Sequence, residues 1–141
     1  MDQMPAPEAF QEFVISGHGN LEKVQQMLSE QPKLLLLCHE WKPNDTETAI
    51  QGAAHVGSRS VAKYLLAQGA PMEICTVAML GRRNEIELFL QEDPASIQAT
   101  GAHGILLMTH AVLSGDVALT EWLLSSGANL GMSAALSLIY L

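Results

Sequence analysis

Five histidines and two cysteines, His18, His39, His55, His103, His110, Cys38 and Cys75, are the residue types in this sequence with the strongest bent for ligating a metal or, with the serines, attacking a substrate. Zinc motifs place ligands at short fixed spacings, so that one helix or one knuckle presents two donors together. The chain has no H-E-x-x-H and no C-x-x-C, and the adjacent Cys38 and His39 fall in an expected loop. No metal set is therefore expected, and each histidine is given a structural or surface role. No serine sits in a G-x-S-x-G elbow, and neither cysteine lies in a protease signature. The stretches "SGHGN" and "GAHG" lack a preceding strand and a Lys-Ser/Thr continuation, so they do not read as phosphate cradles. Glu85 and Glu87, two apart on a helix, point in different directions. The expectation is a protein with no catalytic residues, no cofactor and no enzymatic activity. An enzymatic reading would require a pocket that groups His55, His103 or His110 with an acid or a thiol.

Composition narrows the partner classes. The 141 residues are 48% hydrophobic and 16% charged, which suits a folded domain with a core. Seven basic against fifteen acidic residues leave a formal charge of -8, and no Lys or Arg follows Arg83. Nucleic-acid affinity rests on Lys and Arg displacing counterions, so DNA and RNA are poor partners for this surface. The N-terminal "MDQMPAPEAF" lacks the basic and apolar regions of a secretory signal, and the apolar run from Leu34 to Cys38 is too short to span a bilayer. With two cysteines outside any redox motif, a reducing cytoplasm with free thiols is expected.

The elements that must position these residues emerge from a repeat. Gly19, Gly57, Gly81 and Gly115 are each followed, at the same offset, by an apolar pair: Met27-Leu28, Leu65-Leu66, Phe89-Leu90 and Leu123-Leu124. Apolar positions held in that register line one face of a helix. A second helical pattern precedes each glycine, with small residues such as Ala53-Ala54 and Ala111-Val112 where two helices must approach. Each glycine is then expected to end its first helix with a positive φ, which other residues reach at a cost of about 1–2 kcal/mol.

This pattern resembles the ankyrin repeat, a turn and two antiparallel helices in about 33 residues with a T-P-L-H-x-A signature. The stretch "TAIQGAAHVGSRSVAKYLLAQGA" keeps Thr48, Ile50, Ala53, Ala54, Gly57, Leu65, Leu66, Gly69 and Ala70, and "LLMTHAVLSGDVALTEWLLSSGAN" keeps Met108, Ala111, Gly115, Leu123, Leu124, Gly127, Ala128 and Asn129. Two further units, around "GNLEKVQQML" and "GRRNEIELFL", match mainly in the second helix, and no unit carries an intact T-P-L-H. The resemblance implies an all-α solenoid of stacked helix-turn-helix hairpins forming one domain. Its repeats lie near residues 8–40, 46–70, 71–97 and 104–129, with a half repeat at 130–141. Connections are expected to be long after the odd units and short, through Pro71, after the second.

The resemblance further implies a non-catalytic module that binds a protein partner on its concave face, or else a structural segment or accessory subunit of a larger assembly or enzyme complex. Carried over by register, the binding positions are His55, Val56, Met79, Leu80, Leu113 and Ser114, with His18 and Gly17 equivalent in the first unit. Hairpin tips at residues 41–47 and 100–104 add Trp41, Glu47 and His103. Val56, Met79, Leu80 and Leu113 are expected to form either an apolar patch of the kind that marks interfaces or, with the hairpins shortened around the third unit, a set in which Met79 and Leu80 are covered by the chain itself. Trp122 and Tyr64 are expected to cover the outer helical layer rather than stack on a ligand. The apolar "MSAALSLIYL" at residues 132–141 reads as a minimal cap, a self-association surface or the start of a longer array.

Overall fold

The computed structural model describes residues 3–131; of the half repeat expected at residues 130–141, the stretch 132–141 that carries the expected self-association surface lies outside the described residues. The chain divides into two compact units, Met1–Pro71 and Met72–Leu141, and the division falls in the sequence at the boundary between the second and third repeats. Among the described residues each unit holds two helix pairs.

In the first unit the order is α1 (Pro7–Gly17), α2 (Leu21–Glu30), a 3-10 turn at Pro32–Leu36, β1 (Cys38–Lys42), β2 (Asp45–Thr48), α3 (Ala49–Val56) and α4 (Arg59–Ala67). Pro7 opens α1, where a missing N–H costs nothing. Asn20 caps α2 by accepting from the Lys23 amide at 3.1 Å. Thr48 and Gln51 close a capping box on α3. The helix ends at Gly57 with φ of 77°, and the Ser58 amide donates back to the Ala53 carbonyl at 2.9 Å. That left-handed closure sends the chain straight into α4. Phe13, Val14, Val24, Leu34, Ile50, Val61 and Leu65 are all buried in this unit. α1 meets α3 so closely that a Cβ on Gly17 would stand 2.5 Å from the Ala49 carbonyl oxygen.

The second unit repeats the plan with α5 (Ile74–Met79), α6 (Arg83–Glu92), 3-10 turns at Pro94–Gln98 and Ala102–Gly104, α7 (Leu107–Leu113) and α8 (Val117–Ser125). Asp116 caps α8 by accepting from the Leu119 amide at 3.0 Å. Gly115 closes α7 with φ of 75°, and the anchor glycines Gly19 and Gly81 also take positive φ, as the register requires. The core centres on Val77, Ile86, Met108, Leu119 and Leu123.

The described chain is mostly helical, but its first long connection is a β-hairpin, which the all-α expectation does not include. β1 and β2 pair antiparallel with Cys38 opposite Thr48 and His39 opposite Glu47, and Asn44 makes the turn at φ of 65°, a conformation its short polar side chain tolerates. The second unit shortens this device to one bridge between Thr100 and Leu106. Among the described residues no helix is long and apolar enough to cross a membrane.

Candidate functional site

Three residues that are far apart in the chain converge in the first unit. His18 is the residue that follows α1, Glu47 lies in β2, and His55 is in the last turn of α3. The packing of α1 beside α3, with β2 leading directly into α3, brings them together. The His55 Nε2–H donates to Glu47 Oε2 at 2.6 Å. His18 Nε2 stands 3.2 Å from that same oxygen and 3.2 Å from His55 Nε2. Trp41 in β1 donates its indole N–H to the other carboxylate oxygen, Oε1, at 2.9 Å. The two imidazoles meet edge to face, with ring centres 5.0 Å apart.

Each side chain is held by a specific support. His18 Nδ1–H donates to the Val14 carbonyl at 2.7 Å, and because a carbonyl only accepts, this nitrogen carries the proton. Its ring lies over Gly52, where a Cβ would come within 2.6 Å of the imidazole. Glu47 is fully buried, whereas the two histidine side chains keep 27% and 15% of their surface in solvent. The site is therefore a buried carboxylate reached past two partly open rings.

The electrostatics follow from that arrangement. The hydrogen bond with Glu47 raises the His18 pKa above its ordinary value, against burial, with the Val14 carbonyl adding to the rise. Burial pushes the Glu47 carboxyl up, but hydrogen bonds from His18, His55 and Trp41 outweigh it and hold the group well below the usual carboxylate range. In metal-free protein the sign is set by both shifts. A depressed Glu47 stabilises the fold above its unfolded pKa of 4.5, and this contribution fades as pH falls through the folded value. A raised His18 stabilises below its unfolded pKa of 6.5, and this contribution is lost as pH rises through the folded value. The stability margin of the metal-free protein over His18→Gln is expected to be largest between those two values and to shrink on the alkaline side. Urea melts in chelator from that range up into the alkaline side measure it, and a margin that grows as pH rises above 6.5 would contradict the assignment.

The residues expected from sequence are distributed differently. Trp41 and His55 belong to the cluster, together with His18. Glu47, expected on an exposed hairpin tip, is instead its buried centre. Met79 and Leu80, expected in a surface patch, are both buried, because every residue of the short α5 is enclosed and Leu80 caps it from inside. They offer a partner nothing. Val56 and Leu113 are exposed, at 43% and 40%. Ser114 is half-buried and turned to the backbone, donating to the Ala111 carbonyl and accepting from the Asp116 amide. His103 is exposed in a left-handed turn. His110 is buried with Nδ1–H donating to the Leu106 carbonyl at 2.8 Å. Trp122 is half-buried beneath the Arg83 guanidinium, 4.2 Å from the ring centre. Cys38 is exposed, while burial pushes the Cys75 thiol up to about 12.

The second unit supplies an internal comparison. In the glycine register Leu80 stands for His18, Leu113 for His55 and Ile105 for Glu47. Leu80 follows α5 as His18 follows α1, so the correspondence is structural as well as sequential. At these register positions one unit thus carries three aliphatic side chains and the other two imidazoles and a carboxylate. No protein-family model, curated protein or solved structure matches the chain.

Proposed function

We propose that the chain is a divergent ankyrin-type repeat protein that acts as a non-catalytic protein-interaction module. Its docking surface in the first unit is the end that carries the β1–β2 hairpin and the C-terminal end of α3. The helix pairs closed by positive-φ glycines support the repeat assignment, and repeat architectures present extended surfaces of this kind to partners.

The observation that carries the binding reading is Trp41. The residue is 38% exposed, yet its ring is fixed by the hydrogen bond to Glu47 and by an edge-to-face contact with His39, ring centres 4.5 Å apart. An exposed aromatic that is already immobile loses little entropy on binding, which is why rigid Trp and Tyr dominate interface hot spots. Val56 adds exposed apolar surface one residue beyond His55.

Affinity capture with the wild-type chain, Trp41→Ala and Val56→Asp tests the reading. A partner retained by wild type is expected to bind Trp41→Ala more weakly by about 2 kcal/mol or more, the cost of truncating a hot spot. Trp41→Phe, which keeps most of the ring surface, is expected to fall between the two. Identical partner sets for all four proteins would refute the assignment.

A further inference from the structure

We propose that His18, Glu47 and His55 form a binding site for a divalent transition-metal ion of the zinc class, with a fourth coordination position open to solvent. The ligand atoms are His18 Nε2, His55 Nε2 and Glu47 Oε2. The inference stands independently of the interaction-module reading, because it needs neither a partner nor an exposed Trp41.

Geometry comes first. A hydrogen-bonded chain of three groups is extended, whereas these three donor atoms close a compact triangle with sides of 3.2, 3.2 and 2.6 Å. Zinc–nitrogen bonds of about 2.0–2.1 Å in tetrahedral geometry set neighbouring ligand atoms about 3.3 Å apart. Two of the three sides already have that length. The third opens by a small rotation of the Glu47 carboxylate about its terminal bond.

The supports are those a metal ligand needs. The Val14 carbonyl holds the proton on His18 Nδ1, so Nε2 is the nitrogen that gives up its proton to an incoming ion and binds it through the freed lone pair, as His55 Nε2 must also do. Trp41 occupies Glu47 Oε1 and leaves Oε2 for the ion, so the carboxylate binds through one oxygen. Gly52 makes room for the His18 ring at its required angle. His18 and His55 sit at the C-terminal ends of α1 and α3, where exposed carbonyls give the helices their negative poles and favour a cation.

The donor set selects the metal. Two imidazole nitrogens and one carboxylate suit zinc and its neighbours in the first transition row, whereas magnesium and calcium demand oxygen ligands throughout. Three protein ligands leave one position of a tetrahedron for water or for a side chain brought by another molecule. The second unit argues that this is not a folding requirement, since Leu80, Ile105 and Leu113 occupy the same register there.

The test is a zinc titration of the chelator-stripped full chain by calorimetry in a Cys38→Ser background, which removes the exposed thiol. One ion per chain is expected, with affinity falling about 100-fold or more in His18→Leu and in His55→Leu, beyond the 10–100-fold typical of losing an outer-shell partner. These two variants carry the residues the second unit uses, and circular dichroism verifies their folding. If either fails to fold, the imidazole 15N resonances of the unmodified protein decide. One equivalent of zinc is expected to shift the Nε2 signals of His18 and His55 and leave those of His103 unmoved. The proposal is overturned if no zinc binds, if the leucine variants bind as tightly as their parent, or if the shifted resonances belong to other histidines.

Discussion

Leu65→Ala is expected to lower the stability of the first unit by about 2–5 kcal/mol, the range for removing a buried leucine and leaving a cavity. Leu66→Ala, one residue along the same helix, is expected to cost less than half as much. The two leucines look equivalent in the sequence, since every repeat carries an apolar pair at this offset. They differ because successive helical residues are rotated by about 100°. Leu65 shares the inward stripe of α4 with Val61 and Ala62 and is 1% exposed, whereas Leu66 is only partly buried. Urea denaturation of both variants, with midpoints compared at an unchanged slope, measures the difference. Equal losses would mean that α4 is turned about its axis relative to the structure.

The helices were legible because their signals are local. A 3.6-residue apolar stripe, a capping residue such as Asn20 or Thr48 and a closing glycine such as Gly57 are each read within one or two turns. The β-hairpin was not. Its strands, "CHEWK" and "DTET", carry four charged residues, and no apolar side chain marks a buried face: Glu47 is the one buried residue, with His39, Asp45 and Thr48 half-buried. Pairing and the Asn44 turn, rather than an apolar pattern, define them. Met79 and Leu80 were misplaced for a related reason: register locates a residue on a helix, but α5 is only six residues long and enclosed on all sides. The histidine cluster failed the short-spacing criterion because its imidazoles are 37 residues apart in the chain. The signal that could have found it was in the register itself. His18 and His55 stand one and two positions before their anchor glycines, where the later units carry Met79, Leu80, Leu113 and Ser114.

That difference between the units gives the second large expected effect. Glu47→Ala in metal-free protein is expected to cost about 3 kcal/mol, the low end of what breaking a buried ion pair costs. It strips His18, His55 and the Trp41 N–H of their common acceptor, while the partial exposure of both imidazoles lets water recover some of the loss. The triple variant His18→Leu, Glu47→Ile, His55→Leu installs the side chains found in register in the second unit. It is expected to be as stable as wild type or more so by about 1–4 kcal/mol, because well-packed aliphatic groups avoid the desolvation of a buried carboxylate. The single and triple changes thus differ in sign, a coupling that pairwise additivity would miss. Chemical denaturation in chelator decides between them. A triple variant no better than Glu47→Ala would show that the corner of the first unit is shaped for the polar set and cannot close around the aliphatic one. A triple variant as stable as wild type would separate the cluster from folding altogether.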